Sequence, residues 1–88
     1  MKKGIIIDEI DNVGICTAAV EAGDIVSFGI VKKAAAEAIP VLHKMALKDI
    51  PCGEPIVKYG QIIGYATENV QAGQWVHVHN LDAEKMMR

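Results

Sequence analysis

The sequence predicts a mainly β domain, and three observations carry that expectation. The apolar residues fall in short runs, and each break between runs holds Gly, Pro, Asn or Asp. Only one segment has the composition of a helix. Three stretches also share one form: apolar residue, two residues, Gly, two residues, apolar residue. They are Val20–Val26, Ile50–Ile56 and Val70–Val76. Each reads as a tight turn whose Gly takes positive φ before a strand begins. Their spacing of 30 and then 20 residues is too irregular for a solenoid.

The first strand is expected over Gly4–Ile7. A second covers Val13–Thr17 after the Asp11-Asn12 turn signal, and a third covers Ile25–Phe28 after Gly23-Asp24. Lys32–Ile39 contains Ala34-Ala35-Ala36-Glu37-Ala38 and reads locally as a short helix stopped by Pro40. Leu42–Ile50 fits either a strand or a helical turn. Later strands are expected over Ile56–Tyr59, Ile62–Ala66 and Trp75–His79.

Composition narrows the function. The chain has 88 residues, 51% hydrophobic and 23% charged, with a net charge of −2. A chain of this length buries roughly 60–65% of its unfolded surface, which leaves little material to wall off a deep pocket. A binding module, or one that completes a site on a partner, is favoured over a self-sufficient enzyme. Nucleic acid is not an expected partner, because the one Arg is terminal and no basic face or aromatic platform is evident. No apolar run approaches a membrane span, and Asp8, Glu9 and Asp11 interrupt the only run resembling a signal peptide. Two cysteines, Cys16 and Cys52, are too few for a disulfide framework, and they read as a buried residue and a turn residue. Together these features point to the cytoplasm.

The residues able to carry chemistry cluster late in the chain. On a strand, Trp75, His77 and His79 would share one face, and Val76 and Val78 would face the core. Two histidines at i and i+2, followed by Asn80, could meet a divalent metal or an anion. His43-Lys44, just after Pro40, suits carboxylate binding or acid–base work. Lys58 and Tyr59 should face opposite sides, with Lys58 free to pair with a substrate acid. Asp8, Glu9 and Asp11 fit a solvated turn better than a metal site. No nucleophile–base motif, phosphate loop or zinc pattern is present.

Four ordered blocks, covering about residues 4–82, carry a resemblance. They are Asp11-Asn12-Val13, Pro40-x-x-His43-Lys44-x-Ala46-Leu47, Lys58-Tyr59-Gly60-x-x-Ile63-Gly64-x-Ala66 and Gly73-x-x-Val76-His77-Val78-His79-Asn80. The chain resembles the small SAF domain of the altronate/galactarate dehydratase family, which includes the small subunit of sulfolactate sulfo-lyase. The resemblance implies a β-clip fold over residues 1–88 and makes the Ala-rich stretch extended or irregular. Leu42 stands where that family commonly has Gly. Leucine disfavours positive φ, which predicts a different loop shape around His43.

The resemblance also implies an activity: elimination of water or sulfite from a small hydroxy acid, performed with a larger dehydratase part that follows in the same chain or comes as a separate large subunit. His43, His77 and His79 would be the catalytic residues, and Lys44, Lys58 and Asn80 would bind substrate. His77 and His79 would face a divalent metal, Fe2+ or Mn2+, held mainly by the large subunit. The end of the chain at Arg88 reads as a separately encoded small subunit or an excised domain, and a homo-oligomer is left open. The alternative is a non-catalytic sugar-acid-binding or assembly module.

Overall fold

One local unit, used four times, lays out most of the chain path. An apolar residue is followed by a four-residue turn and then by a strand. The turns begin after Val20, Ile39, Ile50 and Val70. Each is closed by the same backbone bond: Asp24 N–H to Glu21 O (3.0 Å), His43 to Pro40 (3.1 Å), Glu54 to Pro51 (3.0 Å) and Gln74 to Gln71 (3.0 Å). The third turn residue has positive φ in every copy: Gly23 at 90°, Leu42 at 67°, Gly53 at 89° and Gly73 at 92°. The first turn residue is handled in two ways. Glu21 N–H is capped by the Asp24 carboxylate and Gln71 N–H by the Gln74 amide. The other two copies place Pro40 and Pro51 there, which have no N–H to satisfy.

The computed structural model describes residues 1–83. The expected domain of 1–88 runs past them, and Arg88 lies outside the described residues. Nine strands are described: β1 Lys2–Ile5, β2 Val13–Cys16, β3 Ile25–Ser27, β4 Lys32–Ala34, β5 Lys44–Ala46, β6 Pro55–Lys58, β7 Gln61–Ala66, β8 Trp75–Val76 and β9 Leu81–Asp82. They form a six-stranded sheet in the order β4-β3-β1-β2-β5-β8 and a three-stranded sheet in the order β6-β7-β9. β1 and β3 pair in parallel, and the other pairs are antiparallel. The described fold is all β, as expected, and is consistent with a SAF β-clip.

The four units pair two by two. Val20 bridges Ile39, and Ile50 bridges Val70. Each bridge sits in its own apolar cluster. One holds Cys16, Val20, Val26, Phe28, Ala35, Ile39, Met45 and Leu47. The other holds Val13, Ala46, Ile50, Ile56, Ala66, Val70 and Val76. β5 joins them, because Met45 and Ala46 point to opposite faces of one strand. Phe28 lies flat over Gly4 and Gly14, where an added Cβ would come within 2.3 and 2.5 Å of its ring.

The expected helix over Lys32–Ile39 does not form. Lys32–Ala34 is strand β4, and the chain then bends toward the Ile39 bridge. The backbone there is committed elsewhere: Ala35 N–H bonds Asp24 O (2.8 Å), and Ala36 N–H bonds Gly73 O (2.9 Å). A Cβ on Gly73 would stand 2.3 Å from Ala34 O, so two backbones meet here without side chains between them. The alanines serve close approach, and tertiary contacts override their helix propensity. The second expected shape, an extended or irregular path, is the one observed. Leu42–Ile50 resolves as strand β5 followed by a bend toward the Ile50 bridge. The loop before His43 also departs from expectation. Leu42 adopts the positive φ that its three counterparts take as Gly, so the turn keeps its shape.

Candidate active site

The site forms where β5 and β8 run side by side. Lys44 pairs with Val76, and Met45 with Trp75. One step further along this register brings His43 against His77, with ring centroids 5.0 Å apart and inclined at 58°. Trp75 stacks on His77 at 5.5 Å and 11°, and meets His43 edge-on at 5.5 Å. Its indole Nε1–H donates to His43 Nδ1 at 3.1 Å. Its backbone N–H donates to the Glu37 carboxylate at 3.1 Å. His43 is further fixed through its backbone, whose O accepts from Cys16 N–H at 2.9 Å.

The expected strand over Trp75–His79 is shorter than predicted. It ends at Val76, and residues 77–80 turn back. Asn80 is the cause. Its side-chain O accepts from His77 N–H (2.9 Å), and its side-chain N–H donates to Trp75 O (2.9 Å). An asparagine that satisfies nearby backbone groups competes with the sheet ladder. The facing pattern changes with it. Val76 is buried but Val78 is 78% exposed, so Val78 is not a core residue. His79 folds back to 5.3 Å from Trp75 and is exposed. Asn80 itself is only 3% exposed. Both its polar groups are engaged by the turn, which makes it a holder of His77 more than a ligand-facing group.

Lys44 lies within electrostatic reach of His77, and Lys58 within reach of Lys44; both lysines are half-buried. Loss of hydration, and then the charge of Lys58, push the Lys44 pKa down. Lys58 and Tyr59 do not face opposite ways: Tyr59 takes φ 57° in the tight β6–β7 turn, and Lys58 Nζ lies 4.7 Å above its ring. The His77 pKa is also lowered, first by loss of hydration and then by His43, Lys44 and His79. The site therefore favours the neutral form of the His77 imidazole, with the Lys44 side chain near it. That set suits an anion with acid oxygens.

A resident metal does not fit these residues alone. Among the described residues, no group of three or more His, Cys, Asp or Glu side chains is placed to hold an ion. The acidic patch near the N-terminus is not a metal site either. Asp11 is buried and accepts from Gly60 N–H (2.8 Å) and Asp8 N–H (3.1 Å). Burial alone would raise its pKa, but these backbone donors, with Tyr59 and Ile7, hold it below its ordinary value.

The structure thus brings His43, Lys44 and His77 into one region, with Lys58 in reach of Lys44 and packed on Tyr59; it sets His79 at the exposed rim and spends Asn80 on the turn. Sequence reasoning placed Trp75 on the histidine face but gave it no role in the site. The available signal was a lone Trp two residues before His77.

Residues 2–84 match the family model of the altronate/galactarate dehydratase SAF domain. The chain belongs to this SAF family. The altronate dehydratase of Escherichia coli (strain K12) is 38% identical to the SAF chain over 74 residues, 84% of this chain and 15% of that protein. The galactarate dehydratase (L-threo-forming) of the same organism is 48% identical over 40 residues, 46% of this chain and 8% of that one. The (2R)-sulfolactate sulfo-lyase subunit alpha of Chromohalobacter salexigens is 37% identical over 49 residues, 56% of this chain and 52% of that one. The match therefore spans about half of the sulfo-lyase subunit and a small part of the dehydratases. No helix among the described residues is long and apolar enough to cross a membrane.

Proposed function

We propose that the SAF chain is the small component of a sugar-acid dehydratase or related lyase, and that it grips the acid group of a hydroxy acid. One observation carries the reading: His43 and His77 meet beside Trp75 on a half-buried face, with Lys44 in electrostatic reach of His77 and Lys58 in reach of Lys44. The reaction removes the proton α to the carboxylate and breaks the C–O or C–S bond to the leaving group. Negative charge builds on the acid oxygens as that proton departs. Donors aimed at those oxygens stabilise the developing charge more than the ground state, and so lower the barrier. Lys44 and Lys58 supply positive charge there, and His43 a hydrogen bond. His77 is neutral enough to accept or pass a proton, and His79 assists at the rim. The base that takes the α-proton is assigned to a larger dehydratase chain. A divalent cation, Fe2+ or Mn2+, is assigned to that chain as well, since the residues here do not form its site.

The test is reconstitution with a large dehydratase-like chain, followed by assays on altronate, galactarate and sulfolactate. Replacing both His77 and His79 with Ala should reduce turnover at least about 100-fold while the melting temperature stays close to that of the unmutated chain. Full activity in that double variant sinks the reading. Sugar-acid binding with no turnover in any reconstituted pair would favour the binding-module alternative instead.

A further inference from the structure

The indole N–H of Trp75 is a donor only and has no lone pair to offer. Its bond to His43 Nδ1, at 3.1 Å, therefore requires that Nδ1 be bare. A neutral imidazole with a bare Nδ1 carries its proton on Nε2. The ring is not free to escape this bond. His43 is half-buried, its backbone N–H and O are both bonded, and its ring packs between Trp75 and His77. Trp75 is held in turn by the stack on His77, by the Glu37 carboxylate on its N–H and by Asn80 on its O.

We propose that Trp75 is a positioning residue that locks His43 as an Nε2–H donor, so that His43 binds the substrate's acid oxygen and does not act as the base. Role and tautomer are linked here. A base needs an unprotonated nitrogen facing substrate, and the one unprotonated nitrogen of His43 is covered by the indole. The donor role rests on the proposed function above, whereas the tautomer does not.

Two experiments separate them. The first uses the 88-residue chain alone, at pH 8, with 15N-labelled histidines. The His43 ring should show a single tautomer with bare Nδ1 and protonated Nε2, while the exposed His79 ring averages between tautomers. Trp75→Phe keeps an aromatic ring against His77 but removes the donor, and it should release His43 into averaging. An Nδ1–H signal on His43, or an unchanged spectrum in Trp75→Phe, overturns the positioning role. The second uses the reconstituted pair. The amide of His43→Gln can still donate, so it should keep kcat/KM within about 10-fold of the unmutated chain, while His43→Ala loses about 100-fold. Trp75→Phe should raise KM and leave kcat within a few-fold. If Gln is as inactive as Ala, His43 is not a donor and the inference fails. If the unmutated pair turns over no sugar acid or sulfolactate, the proposed function fails, while the locked tautomer still stands or falls on the spectrum.

Discussion

Leu42 is the residue at which the chain departs most from its own rule. Three of the four turn units use Gly at the positive-φ position, and the fourth uses a leucine at φ 67°. A side chain there meets the following carbonyl and costs roughly 1–2 kcal/mol. Leu42 recovers little by packing, since it is 70% exposed. Leu42→Gly should therefore stabilise the chain. Part of the relief is lost to the extra freedom of Gly in the unfolded state, which leaves about 0.5–1 kcal/mol. A thermal melt should show a rise of a few °C. A fall would mean that Leu42 makes a contact worth more than the strain. The same residue explains why only three of four units were legible as a repeat in the sequence: Pro40 marked a break, but without a Gly, Ile39–Met45 did not match the other three.

Elements were readable where one residue type has one structural use, and misread where it has two. The glycine turns at Gly23, Gly53 and Gly73 fall in the first class. The Ala34–Ala38 stretch falls in the second, because alanine favours helix locally yet also permits the backbone contact with Gly73. Asn80 misled in the same way: placed after a histidine pair it reads as a ligand, but its side chain closes the turn that ends β8. Asp11-Asn12 was read as a turn, and it also clamps the β6–β7 hairpin. Asn12 accepts from Val57 N–H and donates to Pro55 O, across the register shift between Ile56 and Val57. Asp11 holds Gly60 at the hairpin tip. Asp11→Ala leaves those N–H groups unpaired and should cost about 1–3 kcal/mol, read by urea unfolding at pH 7. The cost has a pH signature. The folded pKa of Asp11 lies below its ordinary value of 3.8, so at acid pH the unfolded chain binds more protons. The stability it contributes is complete above the ordinary value and is lost as pH falls through the folded one. The stability gap between wild type and Asp11→Ala should narrow as pH falls below 3.8 and the carboxylate protonates. A gap that does not narrow at all as the chain is acidified would show that the carboxylate charge is not what holds the hairpin.

At the scale of the whole molecule, shape and site pull in one direction. The described residues span 40 × 23 × 19 Å, and His43, Lys44 and His77 are only half-buried on them. Its imidazoles are open to solvent or half-buried, and the neighbouring Val41, Leu42 and Val78 are exposed at 50–78%. Exposed apolar residues gathered on one face mark an interaction surface. The dehydratase relatives are much longer than the part this chain matches. If a large dehydratase chain covers this face, it binds the folded SAF chain and not the unfolded one, and mass action then raises apparent stability. At 100 times the dissociation constant the gain is about 2.7 kcal/mol, which for a chain of this size moves the melting temperature by more than 10 °C. A titration of the large chain into a fixed amount of the SAF chain should show that rise and its saturation. A dilution series of the SAF chain alone supplies the contrast, because a homo-oligomer would melt lower as it is diluted, and a monomer would not. A melting temperature that ignores the large chain but follows the SAF chain's own concentration would mean that the histidine face is completed by a second copy, with no larger partner required.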